Sequence, residues 1–155
     1  MFQRYGGSVL KRKLWTIGYT GFSIDEFSSK LSENGVECLV DIREIPISRK
    51  AGFSKSALRQ NLEKVGIAYH HYRLLGSPRN LRHELWESGD YETFFAGVHR
   101  HISSPDAMCQ LQEVVRIARR ASTCLMCCCA DWELCHRKCT IEAIVRQTYF
   151  CCEHL

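Results

Sequence analysis

Cys124-Leu125-Met126-Cys127-Cys128-Cys129 is a short, continuous apolar run followed by the polar segment Ala130 to Leu134 and then by Cys135-His136-Arg137. An apolar run of this length without helical spacing reads as a strand buried on both faces, the kind that occupies the middle of a parallel sheet. From Cys135 onward the spacing changes. Cys135, Cys139, Ile141, Ala143 and Ile144 share part of a helical face, which places Cys135-His136-Arg137 in a first turn, where backbone N–H groups lack partners. The expected layout is strand, polar loop, helix start, with the helix continuing over Thr140 to Tyr149.

The preceding chain repeats that alternation. Lys13 to Tyr19 carries strand formers closed by glycine and reads as the first strand. Ser23 with Glu26 has the spacing of a capping box, and Ile24, Phe27 and Leu31 give an apolar stripe ending at Asn34-Gly35. Val36 to Ile42 is a second strand, with Asp41 and Arg43 at its carboxyl end. The loop Arg43 to Phe53 is long for a strand-to-helix connection, and such loops tend to carry function. Ser54 caps a helix with Leu58, Leu62 and Val65 on one face, which Gly66 ends. Ile67 to Tyr72 is a third strand, residues 81–103 read as one or two helices covering the sheet or the site, and Ser104-Pro105 starts another.

Strands alternating with helices imply an α/β fold, a mostly parallel sheet with helices on both faces in a single domain. The domain is expected over 13–149, with a loose arm at 1–12 and a tail at 150–155. Ligands of such sheets bind outside the carboxyl ends of the strands, so Tyr19, Asp41-Arg43 and Cys127 to Arg137 are expected to meet along one edge.

Ten cysteines in 155 residues would suggest a disulfide framework in a short secreted chain. Met1 to Lys13 instead carries Arg4, Lys11, Arg12 and Lys13 without an apolar core, so the expectation is a cytoplasmic protein with reduced thiols. No segment approaches the roughly 20 apolar residues that span a bilayer, and no membrane partner is expected. A formal charge of +4, from 21 basic and 17 acidic residues, favours anionic partners mildly. Arg43, Arg49, Lys50, Lys55 and Arg59 concentrate that excess.

Three chemistries follow. A thiol at a helix start beside histidine and arginine is held as thiolate, which nominates Cys135, with Cys127 as a second nucleophile and His136 as proton carrier. Asp41 or Asp131 would orient the histidine, and Arg43 and Arg137 would clamp a phosphate or carboxylate. The alternative for each cysteine is ordinary packing, and for Asp41 with Arg43 a buried pair. A zinc site drawn from Cys124, Cys127, Cys135, Cys139 and His136 has plausible spacing. Alternation along a strand points Cys124 and Cys127 to opposite faces, however, so no cofactor is expected. The third chemistry is nucleic-acid binding without catalysis, bases stacking on Phe53, Tyr69 and Tyr72 beside the basic loop. The phosphate loop of cysteine phosphatases needs arginine six residues after its cysteine. Glu133, Leu134 and Cys135 stand there instead.

Cys135-His136-Arg137 is similar to the core of the acceptor site of DNA alkylguanine transferases, with Leu134 where that family has proline. Leu39 to Glu44 is similar to the aspartate-arginine strand end of rhodaneses, whose glycine-bearing cysteine loop is absent. A broader pattern covers about residues 14–146: Thr16-Ile17-Gly18-Tyr19, Phe27, Asp41-Ile42-Arg43, Pro46 with Ser48, Phe53-Ser54, Tyr69, Leu75-Gly76, Cys127 and Cys135-His136-Arg137. In this the chain resembles the family called domain of unknown function 488. The resemblance implies an α/β fold and a site built from the aspartate-arginine strand end and the cysteine-histidine-arginine helix start. It adds Tyr19, Ser48 and Tyr69 as substrate-binding candidates. That family commonly has glutamate two residues after the first cysteine, where this chain has Cys129, and the extra cysteines at 128, 129 and 139 favour the metal alternative. The combined expectation is an enzyme, a cysteine-dependent transferase or hydrolase, acting on a phosphate-bearing small molecule or nucleic acid.

Overall fold

The strand-forming runs align as expected, in a computed structural model that describes residues 12–155. They form β1 (Lys13–Gly18), β2 (Cys38–Asp41), β3 (Ala68–His71), β4 (Thr123–Cys127) and β5 (Cys151–His154). All pairings are parallel, in the order β3-β2-β4-β1-β5. Six helices connect them: α1 (Ile24–Glu33), α2 (Lys55–Glu63), α3 (Arg79–Ser88), α4 (Tyr91–Ile102), α5 (Pro105–Ala118) and α6 (Arg137–Arg146).

Alternation along the strands sorts side chains between two cores. Cys38, Val40, Ile42 and Leu125 point to the face covered by Leu111, Val114 and Val115 of α5 and by Ile141 and Ile144 of α6. Leu39, Cys124 and Met126 point to the other face, covered by Phe27 and Leu31 of α1 and by Leu58 and Leu62 of α2. Helices α3 and α4 form a satellite in which Phe94, Val98 and Ile102 pack on Cys139 of α6. The loop leaving β4 runs to α6 on one face, whereas its neighbours β1 and β2 feed α1 and α2 on the other. A crevice therefore opens at the carboxyl end of β4, where connections diverge.

The capping box of α1 is present, Ser23 Oγ accepting from Glu26 N and Glu26 from Ser23 N. Several boundaries differ from the sequence reading. Val65 lies beyond α2 and is exposed, because the helix closes at Glu63. Helix α6 stops at Arg146 rather than Tyr149, since Thr148 turns its hydroxyl back onto Ile144 O. Strand β4 stops at Cys127, so Cys128 and Cys129 belong to the loop. The expected tail at 150–155 is instead β5. Phe150 is buried in the α5/α6 core, and Cys151 to His154 pair with Lys13 to Thr16, covering an edge of β1 that would otherwise expose unpaired N–H and C=O groups. The expected arm at 1–12 lies outside the described residues except for Arg12.

Candidate functional site

The carboxyl end of β4 is locked by β1. Tyr19 N donates to Cys127 O and Thr20 N to Cys128 O, both at 3.1 Å, extending the pairing beyond the strand. Gly18 is required there by proximity, since a Cβ would lie 1.7 Å from Cys129 O. Gly76 does the same for the neighbouring loop, where a Cβ would lie 2.3 Å from Glu44 N. Two backbone approaches closed by glycine thus bring the loops after β1, β2, β3 and β4 against one another.

Between them lies a cavity of about 370 Å³. Its walls include Tyr19, Arg43, Glu44, Ile45, Ile47, Ser77 and Arg82, together with Leu85, Tyr91 and Phe94 of the α3/α4 satellite. Cys127, Cys128, Cys129, Leu134, Cys135 and His136 line the rest. The sequence reading found Tyr19, Arg43, Cys127, Cys135 and His136. Arg82, Cys128, Cys129 and the α3/α4 wall were not among its candidates. Cys129 carried one signal, its departure from the family's glutamate.

The thiols converge on the histidine. His136 Nδ1 lies 3.8 Å from Cys127 Sγ and 3.9 Å from Cys135 Sγ. Its Nε2 lies 2.9 Å from Ile42 O, a carbonyl that can only accept, so Nε2 carries a proton and Nδ1 faces the sulfurs. Cys128 Sγ is 4.0 Å from Cys127 Sγ and 3.9 Å from Cys129 Sγ. The ligand atoms of Cys127, Cys129 and Cys135 all lie within 4.8 Å of one another.

Four thiols this close share their protons. Cys135 is drawn well below the ordinary thiol range, first by hydrogen bonding from Cys127 and Cys129 and then by His136, against the effect of burial. Cys128 is lowered to about 3, again first by Cys127 and Cys129. Cys127 rises as the donor to its neighbours, and Cys129 rises because bonds with Cys128 and Cys135 outweigh the one with Cys127. Burial disfavours the His136 cation, but the bond to Cys135, the charge on that sulfur and the bond to Ile42 O together outweigh it and the ring is raised. Negative charge in the cluster is a property of the group rather than of one sulfur. Cys135 precedes the first residue of α6, and its N–H is bonded to Trp132 O. Neighbouring groups, not the helix end expected from the sequence, set its charge.

Asp41 does not orient His136. It is fully buried, accepts from Arg43 Nε at 2.9 Å and Nη2 at 2.6 Å, and accepts from Tyr69 Oη at 2.6 Å. Asp131 instead accepts from Glu133 N, and the residue that orients the histidine is Ile42 through its carbonyl. Tyr69 is likewise a support for Asp41 and not part of the cavity wall, its phenol raised chiefly by burial and then by Asp41. Arg43 is 5% exposed and lines the cavity, with its guanidinium 5.3 Å from the centre of the Tyr19 ring. Its Nη1 is buried without a hydrogen-bond partner.

Arg137 takes a different part from the anion clamp expected. Its Nη1 donates to Thr16 Oγ1 at 2.8 Å and its Nη2 to Cys129 O at 2.6 Å, so it ties the β4 loop to β1 from behind the cavity. Ser48 holds its own loop: its Oγ accepts from Tyr19 Oη at 3.2 Å and from Lys50 N at 3.1 Å. Arg82 pairs with Glu44 across 2.8 Å, close enough for charge attraction but without hydrogen-bond alignment, and its Nη1 donates to Ser77 O. The zinc tetrad considered from spacing is not assembled. Cys124 is in the α1/α2 core, and Cys139 packs towards α4. Phe53 of the basic loop and Tyr69 of β3 are core residues, so neither offers a face for a nucleic-acid base.

A family model described as domain of unknown function DUF488 matches residues 23–144. The chain belongs to this family. Neither the curated proteins nor the solved structures give a match. The DUF488 match ends in the last turn of α6 and covers Asp41-Arg43, Gly76, Cys127 and Cys135-His136-Arg137, so the cavity falls almost entirely inside it. Among the described residues no helix is long and apolar enough to cross a membrane.

Proposed function

We propose that this DUF488 chain is a cysteine-dependent transferase or hydrolase whose cavity takes a small substrate with an anionic group, phosphate by preference. The observation that carries the reading is Arg43: a buried guanidinium, fixed on two nitrogens by Asp41, keeps Nη1 unpartnered in a residue that lines the same cavity as the thiols. A buried donor without a partner costs about 1–3 kcal/mol, which an acceptor oxygen of the substrate relieves. Arg82 supplies a second cation on that wall. Ile45, Leu85, Tyr91, Phe94 and Leu134 offer an apolar and aromatic surface for the body of the substrate, and the volume suits a nucleotide-sized molecule.

In this reading Cys135 is the nucleophile. His136 Nδ1, held towards the sulfurs by the bond from Nε2–H to Ile42 O, accepts the thiol proton. The thiolate forms a bond to the electrophilic centre, the bond to the leaving group breaks, and the imidazolium returns the proton to that group. Water or an acceptor then releases the thio-adduct. Cys127, also next to Nδ1, is placed to stand in for Cys135.

Anionic iodoacetate and neutral iodoacetamide test the reading as a ratio, read by peptide mass spectrometry. The iodoacetate-to-iodoacetamide rate ratio at Cys135 is expected to exceed that at exposed Cys109 roughly tenfold, the effect of one charge-assisted bond of about 1.5 kcal/mol. Arg82→Ala should lower it. Equal ratios at Cys135 and Cys109 overturn the anion site.

A further inference from the structure

We propose that Cys127, Cys129 and Cys135, with His136 Nδ1 as fourth ligand, form a binding site for one thiophilic divalent ion of the zinc class. The three sulfurs stand on different pieces of backbone, the end of β4, the loop after it and the turn before α6, yet lie mutually within 4.8 Å. Zinc–sulfur bonds of about 2.3 Å in a tetrahedral site place sulfurs roughly 3.8 Å apart. Contraction of less than about 1 Å, within the reach of a χ1 rotation, closes the set around an ion. His136 Nδ1 is 3.8 Å from Cys127 Sγ and 3.9 Å from Cys135 Sγ; it lies outside the mutually adjacent trio, so the ring closes on Cys129 only as the set contracts around the ion.

The surroundings match what such ligands need. A metal-bound imidazole characteristically donates its other N–H to a carbonyl, which fixes the ring and its tautomer, and here Nε2 meets Ile42 O at 2.9 Å. The backbone carrying the sulfurs is held by the bonds from Tyr19 N to Cys127 O and from Arg137 Nη2 to Cys129 O. Three thiolates and a neutral imidazole around a divalent ion leave one net negative charge. Arg43 lines the same cavity as the sulfurs, and Arg137 is bonded to Cys129 O. Soft sulfur donors select zinc and related ions over magnesium or calcium. Cys128 is near Cys127 and Cys129 but outside the mutually adjacent group, which makes it the internal control.

The site holds or fails independently of the substrate reading, which concerns the metal-free protein. A bound ion would occupy Cys135 and shield it from alkylation. The full chain, expressed with added zinc and purified without chelator, is assayed by elemental analysis; after chelation it is titrated with Co²⁺. The expected result is about one zinc per chain and the near-ultraviolet thiolate-to-cobalt charge transfer and visible bands of a tetrahedral site. Cys129→Ser should weaken Co²⁺ binding by roughly tenfold or more, with Cys128→Ser unchanged. Zinc far below one per chain together with no charge-transfer band overturns the proposal, and so does an equal loss in the two serine variants. If Cys129→Ser does not fold, the Co²⁺ spectrum of the unaltered chain decides alone. Because the iodoacetate ratio is measured on chelated protein, failure of either test leaves the other standing.

Discussion

Arg43 and Arg137 are both almost fully buried, at 5% and 1% exposure, and both follow an apolar strand towards the same crevice, yet they do opposite work. Arg43 leans on a carboxylate with two nitrogens, and its third, Nη1, is buried without a hydrogen-bond partner. Arg137 meets no carboxylate among the described residues; its Nε is also buried without a partner, and its two terminal nitrogens bond Thr16 and the Cys129 carbonyl and brace the loop that carries the thiols. A buried arginine beside a site thus serves as a carboxylate partner or as a strut according to where its nitrogens are engaged.

Three substitutions break or sharpen that contrast. The largest effect is expected from Arg43→Met, which leaves the fully buried Asp41 without its cation and should cost about 3–5 kcal/mol in urea unfolding. Arg137→Met strands no charge, so its cost should be smaller, roughly 2–3 kcal/mol from lost charge-assisted bonds. A loss for Arg137→Met larger than for Arg43→Met would reverse the assignment of pair and strut. Tyr69→Phe removes a single donor from Asp41 while Arg43 stays, and about 1–2 kcal/mol is expected from the same unfolding curves.

Most of the fold was legible because it depends on local pattern. The strands before Gly18, at Cys38 to Asp41, at Ala68 to His71 and at Thr123 to Cys127 announce themselves as apolar runs, and the capping box marks α1. Strand β5 was not legible as a strand, since its reason for existing is the free edge of β1, more than 130 residues away in sequence. Side-chain direction was readable only inside strands. Alternation correctly separates Cys124 from Cys127, but it ends with β4 at Cys127, so the return of Cys129 to the same sulfur cluster lay beyond its reach. The partner of Arg137 is Thr16, 121 positions earlier, which no local spacing encodes. The wall formed by Leu85, Tyr91 and Phe94 depends on how two helices pack together; their sequence shows helices that cover the sheet or the site, without saying which.

The central claim, an anion held on the Arg43 side of the cavity in front of Cys135, is tested most directly by protection. Inorganic phosphate or adenosine monophosphate is titrated into the chelated protein while neutral iodoacetamide labels it, and Cys135 and Cys109 are followed separately. The account predicts saturable slowing at Cys135, absent at Cys109 and weakened by Arg82→Ala. Labelling of Cys135 that is indifferent to both anions, or slowed no more than that of Cys109, would contradict it.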